Sequence, residues 1–382
     1  MLHLQRPGLA ALCNKLRKGC DEIEGRYAAD HGYQGAGGGL KAAAIESGER
    51  LEARVIEVSE PVAGPGEVVV EMRAAALNHL DLWTLSGTLG IELDFPFILG
   101  ADGAGVVASV GAGVPHDLVG KSVMINPGIS CRVCERCSVG QQSECHHFRM
   151  LGEHRDGTLA EWTTVPAENV HSYPSHLSFE EAAALGVTFI TAYRMLFTKG
   201  RLRPGEWVLI TGIGGGLALS LLQLARRVAG KIFVTSSSGA KLDRAAELGA
   251  DHGLDYTSQD IGKAVRALTS KRGVDLVVDS AAGDTLEASM RALRPGGRVV
   301  IAGATSGRHS SVDIRRLFGK QLEVCGSTMG SDADVADMLR MVEGAGLRPI
   351  IDRVYPLSEV SDALDHLASG EQFGKVVISL DR

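Results

Sequence analysis

The sequence predicts an α/β protein of two domains, with a β-rich domain followed by a domain built on a parallel sheet. Between residues 41 and 170, short apolar segments are separated by Gly and Pro turns, which is typical of a barrel-like β domain. After Ser178, strand patterns alternate with helical patterns, which indicates βαβ units and right-handed crossovers. A length of 382 residues with 45% apolar residues suits two sizeable cores.

Strands of the first domain are predicted at residues 40–45, 68–74, 103–111 and 121–127. In the second domain, Ser178 and Glu181 form a capping box that starts a helix. After this helix, strands are predicted at 207–211, 232–235, 274–279, 298–303 and 375–378. Helices are predicted at 217–228, 241–248 and 335–343.

These patterns divide the chain into four parts. Residues 1–40 contain a Gly-rich run and match neither a transit peptide nor a signal peptide, so a disordered N-terminal extension is predicted. The β-rich domain is expected at 41–172 and the parallel-sheet domain at 173–318. Residues 319–382 are expected to return to the first domain.

Charge and composition exclude several functions. The net charge is −7 without a basic block, which disfavours a nucleic-acid partner. No apolar run reaches the length of a membrane span. Four of the seven cysteines lie in one loop, leaving Cys13, Cys20 and Cys325 without obvious partners. This usage fits a reducing compartment, and a cytoplasmic location is predicted.

Four cysteines in a polar loop predict a structural zinc site. Cys131, Cys134, Cys137 and Cys145 have the spacing C-x2-C-x2-C-x7-C. A closed set of four thiolates around tetrahedral Zn²⁺ is a structural and not a catalytic site. Ordinary buried cysteines, two disulfides and an iron–sulfur cluster are the alternatives, although the bacterial cluster motif has different spacing.

A glycine-rich turn predicts a dinucleotide site. Gly212, Gly214, Gly215 and Gly216 follow a buried strand and open a helix. Glycine lets the backbone approach a pyrophosphate, whose charge the helix N-terminus stabilises. A tight turn without a ligand is the alternative, which the strand–turn–helix context disfavours.

The next strand indicates the type of cofactor. NAD enzymes place an acidic residue about 20 positions after the turn, where it binds the ribose hydroxyls. Here Ser236, Ser237 and Lys241 occupy that region, and residues 234–241 contain no acid. The hydroxyls and the ammonium suit a 2′-phosphate, so NADP(H) is favoured over NAD(H). A solvated Lys241 is the alternative.

Together these features resemble the medium-chain dehydrogenase/reductase superfamily, in its zinc-binding alcohol dehydrogenase branch. The resemblance covers residues 41–382 and rests on the segments 78–81, 98–105, 152–154 and 191–193, the cysteines and the glycine turn. It implies a GroES-like catalytic domain, a Rossmann domain with a doubly wound parallel sheet, and hydride transfer between them. It also implies that Thr191 and Gly303 contact the cofactor. Pairing through 299–305 and 321–326, as a homodimer or homotetramer, is expected.

The catalytic-zinc ligands of that branch are replaced in this sequence. The resemblance puts Asn78, Ala101 and Val187 at the three positions, and these side chains do not form a zinc site. The sequence is therefore closer to the zinc-independent quinone and enone reductases of the superfamily. In those enzymes hydride goes to the β-carbon of a conjugated carbonyl, and hydrogen-bond donors stabilise the developing charge.

The resemblance also implies roles for the residues around this position. It puts Asn78 near the nicotinamide, His79 near cofactor or substrate, and Asp81 behind them as an orienting residue. Trp83 stands where the reductases often have a tyrosine, so His79, His154 or water is left as the proton donor. Six apolar side chains are candidates for lining a substrate pocket, with ordinary core positions as the alternative: Leu85, Leu89, Ile91, Phe95, Phe97 and Met150.

Two alternatives remain open from the sequence. In the first, a relocated metal would use Asp81, Asp102, Glu153 or His154, whose carboxylates and imidazole bind zinc in other proteins. Such a metal would make the chain an alcohol or aldehyde dehydrogenase. The second alternative is a catalytically silent nucleotide-binding protein, because fold does not imply function.

Overall fold

The computed structural model describes residues 39–47 and 52–380. The predicted N-terminal extension therefore lies outside the described residues, apart from its last two positions. Within the described part, a β-rich domain with antiparallel sheets is joined to a parallel sheet flanked by helices. The expected fold class, a GroES-like domain followed by a Rossmann domain, is confirmed.

The β-rich domain contains a seven-stranded and a three-stranded sheet. Its strands are β1 Leu40–Ile45, β2 Ala53–Val58, β3 Glu67–Ala76, β4 Phe97–Ile98, β5 Asp102–Val110, β6 Ser122–Ile125, β7 Gly128–Ile129, β8 Arg149–Met150, β9 Trp162–Pro166 and β10 Val170–His171. The long strand β3 pairs antiparallel with both β5 and β9. Because the last residue of β3, Ala76, pairs with the first residue of β5, Asp102, Asn78 and Asp102 meet at that end of the sheet.

The remaining strands are β11 Trp207–Ile210, β12 Lys231–Ser236, β13 His252–Asp255, β14 Val274–Asp279, β15 Leu293–Ile301, β16 Glu323–Gly326, β17 Ile351–Pro356 and β18 Lys375–Ser379. Six of them form a sheet in the order β13-β12-β11-β14-β15-β16, and every pair is parallel. This is the 3-2-1-4-5-6 order of the dinucleotide fold, which binds its ligand at the carboxyl ends of β11 and β14.

The helices cover the parallel sheet and connect the domains. They are α1 His79–Leu85, α2 Glu135–Ser138, α3 Phe179–Ala183, α4 Gly186–Tyr193, α5 Gly216–Ala225, α6 Gly239–Glu247, α7 Ile261–Leu268, α8 Leu286–Ala292, α9 Ile314–Gly319, α10 Asp332–Gly344 and α11 Val360–Ser369. The predicted capping box is present, because Glu181 N donates to Ser178 Oγ at 3.3 Å and Ser178 N to Glu181 Oε2 at 2.9 Å. Among the described helices, none has the length and apolarity that a membrane crossing requires.

The segment 319–382 is divided between the two domains. Strand β16 adds to the edge of the parallel sheet beside β15, whereas β17 and β18 join the barrel sheet through β3. The return to the first domain therefore begins later than residue 319. The expected boundary was too early because β16 is a short and largely exposed edge strand, which carries little apolar signal.

Candidate active site and cysteine loop

The four cysteines of the loop converge on one point. Their sulfur atoms all lie within 4.8 Å of one another, and Cys145 Sγ is 3.4 Å from Cys131 Sγ and 3.8 Å from Cys134 Sγ. Ligands about 2.3 Å from a tetrahedral zinc are about 3.8 Å apart, so the geometry fits the metal. No disulfide forms among the described cysteines.

The cysteine loop is tied to the dinucleotide domain by a buried arginine. Arg194 is 1% exposed and bonds Asp334 Oδ2 at 2.7 Å and Glu144 Oε1 at 2.9 Å. Hydrogen bonds from Lys199 and then from Arg136 lower the pKa of Glu144 to about 2. Glu144 is therefore ionised at neutral pH, and the loop is held against α4 and α10 by charged contacts.

A cleft of about 770 Å³ lies between the β-rich domain and the parallel sheet. Its lining includes most of the predicted site residues, namely Asn78, His79, Thr191, Gly212, Gly215, Gly216, Ser236, Ser237, Lys241 and Gly303. Asp81, His154 and Gly214 are not among the lining residues. The fold thus places Asn78 and His79 of the first domain in the same cleft as the glycine turn of the second.

The glycine turn is shaped for close approach by a ligand. Gly212 and Gly214 have φ values of +67° and +124°, a region that favours glycine. A Cβ at Gly214 would lie 2.7 Å from Lys241 Cδ. Gly216 begins α5 and lines the cleft with Leu217 and Ala218, so the positive end of the helix lies at the cleft, which suits a pyrophosphate.

The far end of the cleft carries hydroxyls and an ammonium. Ser236 and Ser237 line it at the end of β12, and Lys241 Nζ donates to Gly370 O at 2.6 Å. Burial lowers the pKa of Lys241, while nearby acids including Glu371 oppose that shift. The side chain of Lys241 therefore bridges the two domains across the region expected to hold the adenosine ribose.

A buried lysine that sequence reasoning missed lies at the reaction centre. Lys375 begins β18, and its Nζ donates to Leu77 O, Asn78 Oδ1 and Asp102 Oδ2, each at 2.8 Å. Lys375 is 4% exposed and Asp102 is fully buried. The available signal was a charged residue at the start of an otherwise apolar terminal strand.

The partners of Lys375 complete a satisfied polar cluster. Asn78 Nδ2 donates to Asp102 Oδ2 at 2.9 Å, and Val187 N donates to Asp102 Oδ1 at 2.6 Å. A Cβ at Gly186 would lie 2.1 Å from Asp102 Oδ1, so only glycine fits at this position. The segments expected to carry the catalytic metal therefore do meet, but they meet around an ion pair.

This cluster does not fit a catalytic zinc. It offers an amide and a carboxylate that already bind an ammonium, and no thiolate or imidazole. A metal ion bound here would lie beside the Lys375 ammonium. Two like unit charges 4 Å apart repel by about 4 kcal/mol near a protein surface, and the repulsion of a divalent ion would be larger. Nor do Asp81, Asp102, Glu153 and His154 form a ligand set: among the described residues, only the cysteines do so.

Asp81 and His79 flank this cluster on α1. Asp81 accepts from Asn78 N at 2.7 Å and Gly100 N at 3.0 Å, and burial raises its pKa to about 6. Its geometry is that of an orienting residue behind the cleft wall. His79 faces the cleft beside Trp83, with ring centroids 6.3 Å apart. Burial and then the charge of Lys375 lower the pKa of His79, so it is neutral at neutral pH.

Two expectations about the substrate end need correction. His154 does not line the cleft, and its Nδ1 accepts from Met150 N at 3.3 Å; the neighbouring Glu153 lines the cleft instead. Of the six apolar candidates, Leu89 and Met150 line it. Leu85, Ile91, Phe95 and Phe97 do not, because Phe97 is buried in β4 and Phe95 is 42% exposed outside the cleft.

Two family models match the chain. The alcohol dehydrogenase GroES-like domain matches residues 64–175, and the zinc-binding dehydrogenase domain matches residues 216–344. The first match covers the cysteine loop and the strand-rich domain. The second begins at the last glycine of the turn and ends with α10.

Several proteins of similar sequence or structure are named as dehydrogenases or reductases, and others are named as synaptic vesicle membrane protein VAT-1 homologs. An alcohol dehydrogenase from Geobacillus stearothermophilus is 31% identical, over 90% of this chain and 100% of its own length. A crystal structure of an NAD-dependent alcohol dehydrogenase is 41% identical with a TM-score of 0.84, covering 89% of this chain and 99% of that one. A crotonyl-CoA carboxylase/reductase in complex with NADP is 25% identical with a TM-score of 0.81, covering 92% and 97%.

Proposed function

The chain belongs to the medium-chain dehydrogenase/reductase superfamily, in its zinc-binding alcohol dehydrogenase branch, and on that premise we propose an NADP(H)-dependent reductase of conjugated enones or quinones. Hydride transfer proceeds without a catalytic metal. The observation that carries this proposal is the ion pair between Lys375 and Asp102, which fills the position where a metal would be bound.

Conjugated carbonyls are the substrates that suit such a site. Alcohol oxidation requires stabilisation of an alkoxide, which a metal supplies as a Lewis acid. Hydride addition to a conjugated carbonyl instead places charge on an oxygen that hydrogen-bond donors stabilise. Trp83, Leu89 and Met150 give the substrate end of the cleft an apolar wall, and His79 supplies a neutral imidazole for orientation.

The cysteine loop holds one zinc per chain in this proposal. Cys131, Cys134, Cys137 and Cys145 bind it, and the zinc organises the loop without taking part in hydride transfer. The loop contacts α4 and α10 through Arg194. Zinc therefore supports the wall of the cleft from outside.

The cofactor proposed is NADP(H), supplied as the hydride carrier. Ser236, Ser237 and Lys241 suit a 2′-phosphate, and the NADP complex of the similar carboxylase/reductase supports this choice. Similarity to an NAD-dependent enzyme supports the alternative. In either case Gln372 is buried beside the turn, and its Oε1 has no partner within the described part of the chain, so it is available to a ribose hydroxyl.

Replacing Lys241 tests the choice between the two cofactors. Lys241→Gln is expected to raise the KM for NADPH about 10-fold, equivalent to about 1.4 kcal/mol, because one charged contact with the 2′-phosphate is lost. The KM for NADH is expected to change little. Lys263→Gln, on the exposed side of α7, is the matched control. Equal effects of Lys241→Gln on both cofactors would contradict the assignment.

A homo-oligomer that pairs through the parallel sheet is also proposed. Strand β16 is an edge of that sheet, and Val324 on it is 41% exposed. Such an edge offers unpaired backbone groups to a second copy. Besides a second copy of the chain, the proposed partner is a small-molecule substrate. Neither nucleic acid nor a membrane is a proposed partner.

The substrate class is tested by a panel in both directions. NADPH oxidation is measured with conjugated enones and quinones, and NADP⁺ reduction is measured with primary and secondary alcohols. Enone or quinone turnover that survives a chelator is the expected result. Chelator-sensitive alcohol oxidation would instead favour a dehydrogenase with an atypical metal. NADPH binding without turnover on the whole panel would favour a catalytically silent protein.

A further inference from the structure

The turn that follows β8 places one carboxyl group in the cleft. Thr84 Oγ1, on α1, donates to Gly152 O at 3.1 Å, and Gly152 N donates to Arg155 O at 2.8 Å. Gly152 has a φ of +71°, and a Cβ there would lie 2.6 Å from Gly100 O. The next residue, Glu153, is therefore held rigidly, and it lines the substrate end of the cleft.

The carboxyl group of Glu153 lacks the contacts that stabilise a carboxylate. Its side chain is 18% exposed, and it accepts no hydrogen bond from the described residues. The nearest polar group is His154 Nδ1, 3.8 Å from Glu153 Oε2. Because that same Nδ1 accepts from Met150 N, it carries no proton that it could donate to Glu153.

Burial in this setting favours the neutral acid. It raises the pKa of Glu153 from its ordinary value, and only a protonated, positively charged His154 would act in the opposite direction. The other titratable groups around it act elsewhere. On α1, Asp81 bonds to backbone and His79 is neutral. On the turn itself, Arg155 bonds Glu67 at 2.7 Å. A buried carboxyl group whose neutral form is favoured is suited to act as a general acid.

We propose that Glu153 is the proton donor of the reaction, in place of His79, His154 or water. This inference rests on the proposed function, because it assigns the second half of the same reduction. Glu153 lines the same cleft as His79, Trp83, Leu89 and Met150, which belong with it to the β-rich domain, opposite the glycine turn that the cofactor would occupy in the proposed function.

The step balances with NADPH as the reductant. Hydride from the reduced nicotinamide forms a C–H bond at the β-carbon, and the π electrons move through the conjugated system to the carbonyl oxygen as an enolate. The Glu153 O–H bond then breaks, and its proton forms a C–H bond at the α-carbon as the carbonyl re-forms. Glu153 is left as a carboxylate, which takes a proton from solvent through the mouth of the cleft.

Glu153→Gln removes the proton and keeps the shape of the side chain. The expected loss in kcat for enone reduction is about 100-fold or more, the usual range for a general acid, with the Kd for NADPH unchanged within about 2-fold. In the wild type, kcat falls as pH rises through the raised pKa of Glu153, because the acid is lost. This limb of the pH profile is absent in Glu153→Gln. Formate is expected to restore turnover to Glu153→Ala.

Glu92→Gln is the matched control, since Glu92 is exposed in the same domain and does not line the cleft. It should leave kcat and the pH profile unchanged. A Glu153→Gln enzyme that keeps at least half of the wild-type kcat with an unaltered pH profile would overturn Glu153 as the donor while the proposed function stands. A wild type that reduces no conjugated substrate would overturn both.

Discussion

Lys375→Met is expected to destabilise the protein by about 3–5 kcal/mol, the usual effect of removing one partner of a buried ion pair. The change leaves the fully buried Asp102 carboxylate without its cation, and Asn78 Oδ1 loses the hydrogen bond that Lys375 Nζ donates. Turnover is expected to fall about 100-fold, because displacements near 1 Å at a reaction centre have effects of that size. Denaturant unfolding and kcat measure the two effects.

A double variant separates two effects of Lys375→Met: the unbalanced charge on Asp102 and the loss of the contact that positions Asn78. Lys375→Met with Asp102→Asn removes both charges and keeps an acceptor for Val187 N. It is expected to recover at least half of the lost stability and none of the lost turnover. If Lys375→Met were as stable and active as the wild type, the polar cluster would not be the centre of the site.

Loss of the cysteine-bound zinc is expected to have the second large effect. Cys137→Ser removes one of four ligands, and binding of a structural zinc is itself folding free energy. The melting temperature is expected to fall by about 10 °C or more, as a loss of several kcal/mol would produce. Hydrogen exchange should show that residues 131–145 lose protection together with α10, because Arg194 joins them.

Cys325→Ser provides the control for this change. Cys325 is a partly exposed cysteine on β16 and belongs to no cluster among the described residues. Its replacement should leave the zinc content and the melting temperature unchanged. A Cys137→Ser protein with the zinc content of the Cys325→Ser protein would contradict a four-cysteine site.

Local patterns allowed much of the architecture to be predicted. The cysteine spacing and the glycine turn are compact motifs whose chemistry restricts their geometry, and both form as expected. Strands such as β14 were predicted at their observed bounds because a fully buried parallel strand is an unbroken apolar run. The short helix α9 was not predicted, and β16 was expected only from the family resemblance, as part of the sheet edge at 321–326, since such short exposed elements carry little periodic signal.

The reaction centre was harder to predict because its parts are far apart in the chain. Lys375 and Asp102 are separated by 273 positions, and only the pairing of β18 with β3 brings them together. A lone lysine or glutamate in a sequence is usually a solvated surface residue. The resemblance allowed the loss of the family's catalytic-zinc ligands to be read from the sequence, but the lysine that binds Asn78 and Asp102 was not predicted.

The central claim is a hydride-transfer site without its own metal in a protein with one zinc. The most direct measurement is the zinc content per chain of dialysed protein, with NADPH-dependent reduction of an enone assayed on the same sample before and after brief chelation. One zinc per chain with turnover that survives chelation is the predicted result. Two zincs per chain, with alcohol oxidation that disappears when the second is removed, would contradict it.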